Sequence, residues 1–344
     1  MRIVVTNASE QERAAFAEGN VANDWRVDLI DGWLGHRSLT GLGDADSDVP
    51  LDAEALIVSA EDRLDADVLR LFSRLRMIVT RSNSVDHIDL AACRSREIAV
   101  YTVPDFGDIT VAEYTLGLIL ALLRRFRPMI EQCGRGSFTR DPLRGNNLAG
   151  KTVGVVGVGR IGKQVVSRLG AFAVRILGHD EKPDESLIDE IPSLRFTDLE
   201  TVFRNSDILT FHVPLTEQTN HLLNHQTLEW LREGVFVVNT SRGRVIDTSA
   251  LAEGLGSGRI AGAALDTFEA EELIIVKRLQ IGDDLTDAEL KLALATYHLL
   301  RSDRVILSPH NAYNSHEAMQ RVLATTFESI EAFLKGRDTP NRIA

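Results

Sequence analysis

Residues 151–166, Lys-Thr-Val-Gly-Val-Val-Gly157-Val-Gly159-Arg160-Ile161-Gly162-Lys-Gln-Val-Val, decide the fold of this chain. A β-branched run, Thr152–Val156, enters a turn with glycines at 157, 159 and 162 and leaves it as an amphipathic stretch. In such a turn the first glycine permits the tight bend, the second lets the backbone approach a pyrophosphate, and the third lets helix and strand pack closely. The helix start then offers free N–H groups and a partial positive charge to an anion. A lone GxGxxG is weak evidence, but here the strand precedes it and the helix follows it, as the mechanism demands.

Working outward, a second signal stands about twenty residues on, where Asp180 closes the next strand-like run in Leu-Gly-His-Asp. A carboxylate at that point accepts both ribose hydroxyls of an adenosine and repels a 2′-phosphate, so the expected cofactor is NAD. The plainer alternative is an aspartate capping a turn.

Further strand-like runs follow at Ile208–His212, Val235–Asn239, Ile260–Leu265 and Val305–Ser308. Upstream, Ile3–Thr6, Ala55–Ser59, Met77–Thr80 and Ile98–Thr102 alternate with helical patterns at Gln11–Glu18, Asp65–Phe72 and Ile88–Cys93. This βαβα rhythm on both sides of residue 105 predicts two α/β domains with parallel, doubly wound sheets. Ile109–Arg127 reads as one long apolar helix after the break at Pro104 and Gly107, with its arginines at the negative end of the helix dipole. Gly41–Pro50 reads as a loop. Phe268–Arg304 is highly charged and reads as an insertion with a helical run at Asp287–Leu300, and Ser315–Lys335 reads as a closing helix.

Composition narrows the function classes. The 344 residues suit two domains. With 44% hydrophobic and 26% charged residues the chain has the profile of a soluble globular protein. The net charge of -12 repels phosphate backbones, so no nucleic-acid partner is expected. No apolar run approaches the ~20 residues of a membrane span, and the N-terminus reads as a strand and not as a signal peptide. Cys93 and Cys133 form no CxxC and no ligand cluster, which points to a reduced cytoplasmic protein with no metal site. His221 and His225 are four apart, but no HExxH accompanies them.

Five blocks, VGVVGVGRIGKQV (153–165), HVPLTEQT (212–219), NTSRGRVID (239–247), LDTFEAEE (265–272) and LSPHNAY (307–313), together resemble the D-isomer-specific 2-hydroxyacid dehydrogenases over nearly the whole chain. The resemblance implies two Rossmann-like domains: a flavodoxin-like substrate domain made of residues 1–104 plus 311–344, and an NAD-binding domain over 105–310, with hinges near Pro104 and Pro309. It implies a catalytic trio of Arg242, Glu271 and His310. It also implies cofactor contacts from Gly157, Gly159, Arg160, Ile161, Gly162, Asp180, His212, Val213, Pro214, Thr219, Thr240, Ser241, Arg242, Asp266 and His310. The chemistry suits those residue types. A histidine gives and takes a proton near neutrality, a carboxylate beside it orients the ring, and an arginine grips a substrate carboxylate. Taken singly, Arg242 also fits a surface ion pair, Glu271 a solvated acidic face, and His310 a helix cap.

On the substrate side the resemblance points to a loop at Asn83, Ser84 and Val85, and to Phe106. Ser84 replaces the family's usual glycine, Ile109 a common asparagine, and Phe106 the tyrosine frequent in lactate-type relatives. These departures disfavour D-lactate itself, although NAYNSHEAM (311–319) looks most like the lactate and vancomycin-resistance branch. The expected activity is hydride transfer between NADH and a 2-oxo acid, or an analogue such as a phosphonate. The alternative is an NAD-sensing, corepressor-like binding protein. The expected partners are a small anionic substrate and a second copy of the chain in a homodimer through Ile109–Leu123. The insertion after Glu271, 272–304, is read as a lid, a dimer element or a peripheral loop.

Overall fold

The computed structural model of the protein describes residues 1–23, 25–35, 49–269, 271 and 286–344. The chain falls into two compact units, residues 1–106 with 315–344 and residues 107–314.

The first unit carries β1 (Arg2–Thr6), β2 (Arg26–Ile30), β3 (Ala55–Val58), β4 (Met77–Thr80) and β5 (Ala99–Tyr101). They form one sheet in the order β2-β1-β3-β4-β5, every pair parallel. Strands β3, β4 and β5 are buried throughout, as expected for a parallel sheet covered on both faces. Helix His316–Leu334 packs back on this unit, with Phe327 against the rings of Phe16 and Trp25 at 5.1 and 6.0 Å. Tyr101 bridges antiparallel to Arg342, so the tail occupies the open edge of β5.

The second unit carries β6 (Thr152–Val156), β7 (Arg175–His179), β8 (Leu194–Phe196), β9 (Ile208–Phe211), β10 (Val235–Asn239), β11 (Ile260–Leu265) and β12 (Val305–Leu307). Their order is β12-β11-β10-β9-β6-β7-β8, again all parallel. The order reverses between β6 and β9. That switch point lies beside the glycine turn and is where doubly wound sheets bind ligands. Both sheets thus have the α/β parallel architecture expected from the sequence. Within β6, Gly154 leaves room for Val202 and Leu209, whose side chains a Cβ would meet at 2.7 and 2.6 Å.

One expectation changes. Ile109–Arg127 is not one helix. Asp108–Leu123 ends, Arg125 turns left-handed at φ 53°, and Phe126–Gly134 starts a second helix. The Leu123 carbonyl, free at the helix end, accepts the Asn146 N–H at 2.9 Å, and Gly145 packs against it where a Cβ would sit 2.3 Å away. Strands β2 and β8 were not legible: both are sheet edges, so one face is wet and neither shows a solid apolar run. The expected loop over Gly41–Pro50 lies largely outside the described residues, as do 272–285 of the expected insertion. The described part of that insertion is helix Asp287–Arg301, opened by a capping box between Thr286 and Glu289 and packed against helix Thr248–Ser257.

Candidate active site

The site grows from the carboxyl ends of the strands in the second unit. At β6 the turn residue Gly157 has φ 90°, and a Cβ there would lie 2.8 Å from the His212 carbonyl. At Gly162 a Cβ would lie 2.0 Å from the Gly157 carbonyl oxygen. Only glycine fits at either position. Gly159 is different: a Cβ would meet nothing within 4 Å, and φ is an ordinary −73°. It begins helix Arg160–Leu169 with no side chain capping the first N–H groups. An uncapped helix start with open space above its glycine is a cradle that fits a pyrophosphate.

Asp180 is half-buried, and its carboxylate accepts the Val158 N–H at 2.8 Å and the Lys182 N–H at 2.9 Å. It therefore holds the glycine turn. The Arg160 guanidinium is paired with Asp108 at 3.0 and 3.2 Å, and Ile161 packs on the core of the unit.

β9 delivers His212. Its Nε2 lies 2.9 Å from the Thr210 hydroxyl, and its Nδ1 is buried without a partner. Burial holds the imidazole well below its ordinary range, at about 3, so it is neutral at physiological pH. Thr219 closes the following loop by donating to the Pro214 carbonyl at 2.6 Å, with Val213 half-buried between.

β10 delivers Asn239, which is fully buried and was not singled out from the sequence. Its side chain donates to the Arg242 carbonyl at 3.0 Å and to the Thr267 carbonyl at 3.3 Å, and accepts from the Ser241 N–H and hydroxyl. One amide thus ties together the segments that carry Arg242 and Asp266. Thr240 points into the core, 2.9 Å from the Thr115 hydroxyl. Arg242 is half-buried; its Nη1 donates to the Ser241 carbonyl at 2.9 Å, and no carboxylate pairs with it among the described residues.

β11 ends in Asp266, which is fully buried. Its carboxylate accepts from the Ser308 hydroxyl at 2.6 Å and from the Asn311 and Ala312 N–H groups, each at 2.8 Å. Every one of those donors belongs to the segment around His310, so Asp266 shapes that segment. Held this way, His310 adopts φ 50°, unusual for a residue with a side chain. Its Nδ1 lies 3.3 Å from Glu271 Oε2, while Glu271 Oε1 accepts the Phe268 N–H. The turn carrying Glu271 is itself pinned: Glu269 receives the Thr248 N–H at 3.1 Å and meets His221 Nε2 at 2.6 Å. Gly243 lets Arg242's segment touch the Phe268 backbone, where a Cβ would sit 2.4 Å away.

In the first unit, Ser84 stands where a glycine was expected. It is not among the residues of positive φ, and its hydroxyl donates to Asp86 at 2.7 Å. The turn is made by side-chain hydrogen bonds in place of glycine's freedom. Asn83 is exposed, Val85 half-buried and Phe106 buried, with the Phe106 carbonyl accepting two N–H groups of Arg321.

Comparison with known proteins agrees with this architecture. Residues 116–312 match the family model of the D-isomer specific 2-hydroxyacid dehydrogenase, NAD binding domain. A glyoxylate reductase of Thermofilum pendens is 38% identical over 84% of this chain and 80% of its own length. A D-specific alpha-keto acid dehydrogenase of Enterococcus faecalis is 36% identical over 74% of this chain and 73% of its own. The D-lactate dehydrogenase of Aquifex aeolicus, solved with NAD and lactic acid, superposes with a TM-score of 0.83 at 30% identity, covering 97% of this chain and 96% of that one. The chain belongs to the D-isomer specific 2-hydroxyacid dehydrogenase family, whose activity is NAD-dependent, and its cofactor is NAD. No helix among the described residues is long and apolar enough to cross a membrane.

Proposed function

We propose that the protein reduces a small 2-oxo acid to the D-2-hydroxy acid, with Arg242, Glu271 and His310 as its working residues. The observation that carries this reading is their assembly at one end of one sheet: an arginine with no carboxylate partner among the described residues, and a histidine whose Nδ1 faces a carboxylate at 3.3 Å. The turn Gly157–Gly162 would hold the pyrophosphate of NADH and Asp180 its ribose, and the cofactor when bound would supply the hydride. Glu271 fixes the His310 ring through Nδ1 and stabilises its charged form, which leaves Nε2 to hold the proton. His310 gives that proton to the carbonyl oxygen as it becomes a hydroxyl. Arg242 grips the substrate carboxylate with a planar fork and polarises the neighbouring carbonyl. Asp266 and Asn239 act through these groups by positioning their segments. Asn83, Ser84, Val85 and Phe106 are proposed as the substrate-recognition residues of the first unit.

The preferred substrates are 2-oxo acids with short side chains, in keeping with the glyoxylate, D-specific alpha-keto acid and D-lactate names of the relatives. NADH oxidation followed against a panel of 2-oxo acids and phosphonate analogues, with the product resolved by chirality, tests this reading. Turnover giving the D-isomer is expected. Tight NADH binding with no turnover on any member would favour an NAD-sensing binding protein instead.

We also propose a homodimer. Most apolar residues of helix Asp108–Leu123 are buried within its own unit, but Phe126, Ile130 and Phe138 just beyond it stay 43%, 64% and 76% exposed. Light scattering at micromolar concentration should give twice the chain mass.

A further inference from the structure

The second unit holds a cavity of about 200 Å3 at the edge of its sheet opposite the cofactor cradle. Its lining includes Phe236, the second residue of β10, Gly262 of β11, and Asp303 and Arg304 just before β12. Those strands end at Asn239, Leu265 and Leu307, where the candidate active site begins. From Gly262 to Asp266 is four residues of strand, roughly 13 Å. The two sites are therefore separate.

The charge of the lining is unusual for this protein. Arg125, Arg127, Arg144 and Arg304 face a single acid, Asp303, in a chain of net charge -12. Not all of these arginines are committed. Arg127 is spent: its three nitrogens go to Glu131 and to the Leu300 and Val305 carbonyls. Arg304 uses Nη2 on the Leu255 carbonyl. Arg125 gives Nη2 to Asp303 at 3.1 Å, while its Nε is buried with no partner among the described residues. Arg144 meets only Asp141, at 3.4 Å, with its side chain 82% exposed. A buried guanidinium N–H without an acceptor costs free energy that a ligand oxygen would recover. Clustered guanidinium groups match phosphate and carboxylate oxygens in shape and charge. The opposite wall, with Leu122 and Phe236, is apolar.

We propose that this cavity binds a small polyanion, with Arg125 and Arg144 as its principal contacts and Asp303 as the internal competitor it displaces. Its volume suits a group of phosphate or pyrophosphate size.

Isothermal titration of the full-length protein with inorganic pyrophosphate, and separately with citrate, tests this. Saturating NADH is present throughout, so that the glycine cradle is occupied. Saturable binding of at least one probe is expected. Arg125→Gln and Arg144→Gln should each weaken it at least tenfold, and Asp303→Asn should tighten it severalfold. Arg144 and Asp303 are exposed, so their substitutions leave the fold intact, as an unchanged melting temperature would verify. The proposal is overturned if neither probe binds while NADH is present, or if binding is the same in Arg144→Gln and Asp303→Asn as in the unaltered protein.

Discussion

The two sheets place the same feature at the same point and use it oppositely. After β1 the chain turns through Asn7 and starts helix Glu10–Asn23; after β6 it turns through Gly157 and starts helix Arg160–Leu169. In the first unit the helix start is closed by protein groups. Glu12 accepts the Ser9 N–H at 2.8 Å and its hydroxyl at 2.7 Å, while the Ser9 hydroxyl receives the Glu12 N–H. This reciprocal capping satisfies the Ser9 and Glu12 N–H groups from within the protein. The other oxygen of Glu12 pairs with Arg81 at 2.5 Å, both side chains nearly fully buried, and Arg81 also donates to the Thr6 carbonyl. Arg81 is the first cause of the lowered Glu12 pKa that works against burial, and the Ser9 bonds add to it. In the second unit the start is left open at Gly159, and among the described residues nothing lies within 4 Å of where its Cβ would sit. One topology thus yields a helix start capped by side chains in one unit and an uncapped one in the other. The deciding residues are an internal carboxylate in one turn and a bare glycine in the other.

The largest effect expected from this contrast is in the sealed turn. Glu12→Ala leaves the Arg81 charge buried and alone, which costs about 3–5 kcal/mol of stability. Denaturant unfolding measures the loss, and NADH fluorescence titration should show unchanged affinity. A variant that kept its stability but lost NADH would break the comparison. Within the open turn two glycines separate folding from binding. Gly162→Ala should destabilise by about 3 kcal/mol, because its methyl overlaps the Gly157 carbonyl. Gly159→Ala should leave the melting temperature alone yet weaken NADH at least tenfold, about 1.4 kcal/mol. Equal effects of the two on stability would show that Gly159 is structural.

The effect that is smallest at neutral pH, and grows only on acidification, concerns His212, which borders the open turn. Its folded pKa of about 3 lies below the ordinary 6.5. Between those values the unfolded chain takes up a proton that the folded chain refuses, so this contribution to stability is complete above pH 6.5 and is lost as pH falls. The slope is about 1.4 kcal/mol per pH unit. His212→Gln should flatten the dependence of unfolding free energy on pH in that window, and an unaltered slope would place the acid sensitivity elsewhere.

The glycine turn and the position of Asp180 were legible because they depend on local order, a strand, a turn and a helix start close in sequence; the blocks around Arg242, Glu271 and His310 were read from the family resemblance. The supports of the site were not legible. Asn239 reaches Thr267, and Asp266 reaches Asn311 and Ala312, across separations that no periodicity reports. The Glu12–Arg81 pair spans 69 residues, and each member alone looks like an ordinary surface charge. Arg125 hid the helix break because an arginine gives no sign of a left-handed turn, which Gly145 and Asn146 accommodate from across the unit. Thr240, read as a cofactor contact from the resemblance, places its hydroxyl 2.9 Å from that of Thr115, 125 residues away.

The proposed reaction rests most directly on His310. Steady-state reduction of the best 2-oxo acid from the panel should be compared between the unaltered protein and His310→Gln, with NADH affinity measured by fluorescence in both. The expected result is a fall in kcat of about 10²–10⁴ with NADH binding retained. A variant that turned over at the original rate while binding NADH would contradict the assignment of His310 as the proton donor.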